Sequence, residues 1–304
     1  MGGGLGDPSC TSDGVDISVV IPCRNGAGTL GAQLDALLAQ QTGATFEVIV
    51  ADNGSTDATA ELVRRYGERD PRVKLVDASR APGANVGRNV GVRAARGRFI
   101  LLTDADDLVH PGWIEAYWQA FSHGAHSAGG ALIRVLAGGK VLSRESRLYR
   151  PLAGRGVTFA NATNCGFSAA AFHRVGGFDE SFIGGADEVD FYWRLAEAGY
   201  ELVLVPEAKV DKLMHTDLDD AFRQQFNFGR GETRLMQKFR PRLVTPLTLL
   251  ALCGVVVWFG VWATVARLTP RWRRHATNTV AWNLGFLTEA VRLRSGTGHS
   301  AAQL

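Results

Sequence analysis

Short apolar runs rich in β-branched residues recur along the first hundred positions, each closed by a polar cluster: "ISVVIP" from Ile17, "FEVIVAD" from Phe46 and "VKLVDA" from Val73. Runs of this length between turn residues predict strands buried on both faces. Between them the period changes. Leu30, Leu34, Leu37 and Leu38 recur at helical spacing behind Thr29, Ser55 to Asp57 offer caps for a second helix, and "GANVGRNVGVRAARG" predicts a third with small residues on one face. A fourth strand, "RFILLTD", ends at Asp104. Parallel strands need a crossover, so this alternation predicts a doubly wound α/β fold, a mostly parallel sheet flanked by helices. Ligands of such sheets sit beyond the carboxyl ends of the strands. Those ends carry Pro22 to Asn25, Asp52 to Ser55 and Asp104 to Asp107.

The pattern changes again at the rear. Leu243 to Ala266 holds no charged residue across 24 positions. As a helix it is about 36 Å long, enough to cross a hydrocarbon core of about 30 Å. This predicts a hydrophobic membrane helix over 243–266. Val280, Leu284, Leu287 and Val291 follow at helical spacing, interrupted by Asn278, Asn283 and Glu289, which reads as an interfacial amphipathic helix over 276–293. The expected division is a tail over 1–15, an α/β domain over 16–240 and a membrane-associated helical region over 241–304.

Charge sharpens that division. The formal net charge of +3 is unevenly spread: residues 1–222 hold 21 Lys/Arg against 28 Asp/Glu, and residues 223–304 hold 12 against 2. An acidic front argues against a nucleic-acid binder with one continuous basic face. The basic rear suits anionic headgroups, so the expected location is at a membrane. Cys10, Cys23, Cys165 and Cys253 show no CxxC spacing, so no zinc site or disulfide framework is indicated. The opening "MGGGLGDPSCTSDG" lacks a basic n-region and an apolar h-region, and predicts a disordered tail rather than a signal peptide.

The strand ends supply the chemistry. Glycines and backbone donors at helix starts suit phosphate. Carboxylates repel it, so the two combine through a cation. Asp104 and Asp106, a D-x-D pair after a strand, offer the hard oxygen ligands that Mg²⁺ or Mn²⁺ takes, with substrate phosphate completing the shell. The implied ligand is a metal-bridged nucleoside diphosphate.

Five ordered blocks, "SVVIPCRN", "VIVADNGSTDAT", "PGANVGRNVGVRAARGRFILLTDADD", "GGFDE" and "ADEVDFYWRLAEAGYELVLVPEA", resemble the family 2 glycosyltransferases over roughly residues 16–235. The resemblance implies the GT-A (Rossmann-like) nucleotide-sugar fold. It also implies an inverting transfer from a nucleoside-diphosphate sugar to a hydroxyl acceptor. Such donors are cytosolic in bacteria, which places the expected catalytic domain in the cytoplasm, and the expected membrane location alone suggests a glycan or lipid-linked acceptor at the membrane or cell envelope. The resemblance assigns donor binding to Pro22, Arg24, Asn25, Asp52, Arg88, Asn89, Asp104 and Arg230. Asp106, Asp104 and His215 become metal ligands, Asp107 a helix cap, and Asn164 a residue of the acceptor side. With Asp190 and Arg194 setting the register, the family's Glu-Asp pair falls on Asp187 and Glu188 in swapped order, so either is open as the base. Two other readings remain: a nucleotidyl or phosphoryl transferase, which lacks a GxxxxGK[ST] loop, and a catalytically silent nucleotide-binding relative that organises a membrane complex.

Overall fold

The computed structural model describes residues 14–151, 157–214, 218–239 and 270–294, with isolated positions between 245 and 258. The expected tail therefore falls almost entirely outside the described residues. The first four strands are β1 (Ile17–Cys23), β2 (Phe46–Asp52), β3 (Val73–Asp77) and β4 (Phe99–Leu102), separated by α1 (Leu30–Leu38), α2 (Thr59–Arg69) and α3 (Ala84–Ala94). These four strands pair in parallel, in the order β3-β2-β1-β4. Alternation along β1 serves two cores. Ile17, Val19 and Ile21 pack with Leu30, Leu34 and Leu37 of α1 on one face, and Val20 packs with Val92 of α3 on the other. Each fully buried aliphatic side chain contributes about 1.5–3 kcal/mol, which is why the apolar runs are continuous. α3 lies close on the sheet because Gly91 faces Val20, where a Cβ would overlap the valine side chain.

Beyond β4 the sheet is mixed. The chain continues through β5 (Leu108–Val109), α4 (Trp113–Ser122), β6 (Ser127–Val135), β7 (Val141–Glu145), β8 (Cys165–Ser168), α5 (Ala169–Val175), α6 (Asp187–Glu197) and β9 (Val203–Leu213). β8 is antiparallel to both β4 and β6, β5 is antiparallel to β9, and only the β6–β9 pair is parallel. The expectation of a mostly parallel sheet is thus corrected to a mixed one. The crossover argument reaches only as far as strand and helix alternate. β6 and β7 are joined by a tight turn through Gly138 and Gly139, both at positive φ, and pair antiparallel without a helix.

Two long helices, α7 (Leu218–Phe239) and α8 (Pro270–Arg294), complete the described chain. No helix among the described residues is long and apolar enough to cross a membrane. The membrane helix expected over 243–266 is therefore not supported, and most of that stretch lies outside the described residues. α8 packs along α7. Asn283 and Glu289, the polar positions that gave this stretch an interfacial character, are buried there with Ala281, Phe286 and Ala290, whereas Val291 is exposed. The Glu289 carboxylate meets Arg230 at 2.9 Å and Arg234 at 2.6 Å. The backbones approach so closely that a Cβ on Gly285 would overlap the Phe226 carbonyl, and one on Gly229 the Trp282 carbonyl. Gly285→Val is expected to cost about 2 kcal/mol through this overlap, read as a lower urea midpoint; an unchanged midpoint would contradict the close crossing.

Candidate active site

The rim of the parallel half is built by two clipped loops. After β1, Asn25 adopts a left-handed φ of 56°, which turns its amide toward α2. Its N–H donates to Ser55 Oγ at 2.9 Å, and its Oδ1 accepts from the Thr56 N–H at 2.8 Å. Asp52, the last residue of β2, accepts from the Ser55 N–H at 2.9 Å. Pro22 is half-buried beneath this loop and Arg24 is exposed on it. The expected nucleotide side thus shares one rim, with its backbone fixed by polar side chains rather than by ladder hydrogen bonds.

The end of β4 carries the acidic cluster. Asp104, Asp106 and Asp107 each present an oxygen, all within 4.8 Å of one another. Asp104 accepts from Thr163 Oγ1 at 3.1 Å and lies 3.7 Å from Lys212 Nζ and 3.8 Å from an Arg88 Nη. Burial works to raise its carboxyl, but Lys212 and Arg88 hold it below the usual range. Asp107 does not cap α4, whose cap position is Gly112 with no side-chain bond. Asp107 turns inward, where its Oδ1 accepts from the Leu213 N–H at 3.3 Å. Burial, with Asp104 and Asp106 beside it, pushes its carboxyl up to about 8. Its buried Oδ2 has no hydrogen-bond partner. His215, expected as a third ligand, lies outside the described residues.

Arg88 joins this cluster to the second acidic pair. It is buried on α3, donates to Asn85 Oδ1 at 2.8 Å and to Asp187 Oδ2 at 2.6 Å, and faces Asp104 from the other side. Burial pulls its guanidinium down, yet Asp187 and Asp104 keep it above its ordinary value. Asp187 and Glu188 open α6 behind Ala186, a non-glycine residue at φ 60°. Burial, then the adjoining Asp187 carboxylate, pushes Glu188 up to about 8. Asp190 anchors the helix through Arg194 at 2.6 Å and Lys238 at 2.6 Å. Gly231 of α7 abuts Gly185, just before the pair, where a Cβ would meet the Gly185 carbonyl.

Three expected site residues are engaged elsewhere. Asn89 is buried, donating to the Phe178 carbonyl at 2.9 Å and Glu180 Oε1 at 2.8 Å and accepting from the Phe178 N–H at 2.9 Å, so it braces the segment after α5. Arg230 holds Glu289 of α8. Asn164 is 1% exposed. Its Oδ1 accepts from Trp113 Nε1 and the Tyr117 hydroxyl, and its Nδ2 donates to the Ala131 and Ala208 carbonyls, each at 2.8 Å. With those four bonds it ties α4 to β6 and β9 in the core and does not face an acceptor. Lys212 is the site residue that sequence reasoning missed. A signal existed: it shares the inward register of β9 with buried Ala208 and Val210, and a lysine in that register calls for an anionic partner.

The donor set fits a hard divalent cation. The ligands are carboxylate oxygens, and the orphaned Asp107 Oδ2 is a buried acceptor that such an ion satisfies. A mixed α/β sheet with a rim of clipped loops, a D-x-D cluster and a second acidic pair fits a sugar-transferring enzyme of GT-A fold. The chain belongs to glycosyl transferase family 2, whose model matches residues 18–176; the model of glycosyl transferase family group 2 matches residues 99–291. It is similar to the succinoglycan biosynthesis protein ExoA of Rhizobium meliloti, 28% identical over 91% of this chain and 95% of that protein. Its fold is also that of the mannosyltransferase PcManGT from Pyrobaculum calidifontis, with a TM-score of 0.62 at 17% identity over 90% of this chain and 86% of that one. S. aureus TarS 1-349 gives a TM-score of 0.53 at 18% identity, over 93% and 92% of the two chains.

Proposed function

We propose that this glycosyltransferase moves a sugar, with inversion, from a nucleoside-diphosphate sugar to a hydroxyl of a glycan or lipid-linked acceptor of the cell envelope. The observation that carries the reading is Arg88, a single buried guanidinium between Asp104 of the cluster and Asp187 of the second pair. It ties the two acidic groups to one guanidinium, 3.8 Å from Asp104 and 2.6 Å from Asp187. Asp52 and the clipped loop after β1 take the nucleotide. Asp106, Asp104 and Asp107 are the residues that would hold Mg²⁺ or Mn²⁺; the solved structure of PcManGT is described with GDP-Man and Mn²⁺. When bound, such an ion supplies positive charge against the diphosphate as it departs.

Glu188 is the base in this reading. Asp187 is committed to Arg88 at 2.6 Å, whereas the Glu188 carboxylate, pushed up to about 8, matches the working range of a general base. It takes the acceptor hydroxyl proton as the acceptor oxygen bonds to the sugar C1 and the bond from C1 to the diphosphate oxygen breaks. The extra methylene of Glu offsets the swapped order of the pair. The basic rear and the cytosolic supply of nucleotide sugars favour a cytoplasmic catalytic domain lying against an anionic membrane surface.

The test is donor turnover. A panel of UDP-, GDP- and dTDP-sugars incubated with the protein and Mn²⁺ is expected to yield nucleoside diphosphate from at least one donor, and EDTA is expected to stop it. If no donor is turned over with metal present, the reading fails.

A further inference from the structure

Lys212 is absorbed by neither the nucleotide rim nor the catalytic pair, yet it sits at the inner wall of the acidic cluster. Its Nζ donates to Thr163 Oγ1 at 2.6 Å and lies 3.7 Å from Asp104 Oδ2 and 3.9 Å from Asp107 Oδ2. The Thr163 hydroxyl passes its own hydrogen to Asp104 Oδ2 at 3.1 Å. With an Arg88 Nη 3.8 Å from Asp104 Oδ1, Asp104 has a fixed cation on each side. The arrangement is built by the sheet: β5 pairs Leu108 and Val109 with Val210 and Asp211 of β9, which carries the β4–β5 bend over the end of β9.

Resting on the reading of this cluster as a divalent-cation site, we infer that Lys212 is the cluster's built-in counter-cation. It orients Asp104 from within and lowers the affinity for a divalent ion. A fixed positive charge less than 4 Å from two of the three carboxylates offsets part of their field and opposes a second cation. The site then holds metal weakly when alone and firmly when a nucleoside diphosphate brings further negative charge. Lys212 is a positioning and affinity-setting residue, not a catalytic one.

Free-Mn²⁺ titration by electron paramagnetic resonance, with no donor and then with saturating UDP or GDP, tests this. Lys212→Met is expected to bind Mn²⁺ about tenfold more tightly than the wild type without nucleotide, and to gain less from adding it. Lys212→Arg, which keeps the charge, is expected to follow the wild type. Equal or weaker Mn²⁺ binding by folded Lys212→Met overturns the inference. Should that variant fail to fold, Lys212→Gln carries the same expectation, and tighter binding by Lys212→Arg overturns the inference on its own. Wild type and Lys212→Met both failing to bind Mn²⁺ would remove the metal reading along with it, whereas equal affinities remove the inference alone.

Discussion

Glu188→Gln is expected to lower kcat for sugar transfer by about 10²–10⁴-fold, the usual contribution of a positioned proton acceptor, while leaving the donor Kd unchanged by calorimetry. The glutamine keeps the shape of the side chain and loses only its capacity to take a proton. The pH profile is a second readout. A base acts as the carboxylate, and Glu188 is pushed up to about 8 by burial and by Asp187. The wild-type kcat/KM should therefore fall about tenfold per unit below pH 8 and level off above it. In Glu188→Gln that limb should vanish from the residual rate. Asp187→Asn is expected to behave differently. It gives the buried Arg88 guanidinium a neutral amide oxygen in place of its 2.6 Å carboxylate partner, with Asp104 at 3.8 Å as the remaining charge, so it should cost about 1.5–3 kcal/mol of stability, seen as a lower melting temperature. Normal transfer by Glu188→Gln together with loss of transfer by a folded Asp187→Asn would exchange the two roles.

The parallel half of the sheet was legible because β1, β2 and β4 bury both faces and the crossovers show a helical period. Val19 and Val20 point to opposite cores, and Ser18, Glu47 and Lys74, the polar positions inside the first three runs, bond to one another. The mixed half lacks that redundancy: β5 has two residues and β8 four, too few for a period to show. Antiparallel pairing of β8 with β4 depends on contacts more than sixty positions apart, and its pairing with β6 on contacts more than thirty-five apart. The rear misled for a related reason. The polarity that gives α8 an interfacial character is read along the chain, whereas the burial of Glu289 depends on Arg230 and Arg234, more than fifty positions earlier.

The same distinction runs through the site. Positions fixed by the strand ends, Asp52, Asp104, Asp106 and Asp107, fell together on one rim because the topology alone puts them there. Side-chain direction was not legible. Asn89 and Arg88 are adjacent on α3, yet one braces the segment after α5 and the other spans two acidic groups. Asn164 has the composition of a polar contact residue, but the indole of Trp113 and the hydroxyl of Tyr117 converge on it within the core. A periodicity argument names neither partner.

Asp106→Ala is expected to reduce metal-dependent kcat/KM by about 10³-fold, because a divalent ion supplies several kcal/mol of charge stabilisation and each 1.36 kcal/mol is a factor of ten. Among the three carboxylates Asp106 is the exposed one, so its loss should leave stability within about 0.5 kcal/mol and the urea midpoint should not move. That same exposure makes Asp106 the carboxylate best placed to reach a metal bound to the donor. The discriminating measurement is Mn²⁺ affinity in the presence of nucleoside diphosphate. Asp106→Ala should lose the increase that nucleotide produces in the wild type, whereas Asp52→Ala should weaken nucleotide binding and leave metal binding without nucleotide untouched. If Asp106→Ala retains nucleotide-enhanced Mn²⁺ binding, ligation passes to Asp104 and Asp107. The two cations flanking Asp104 would then have to yield it on every turnover.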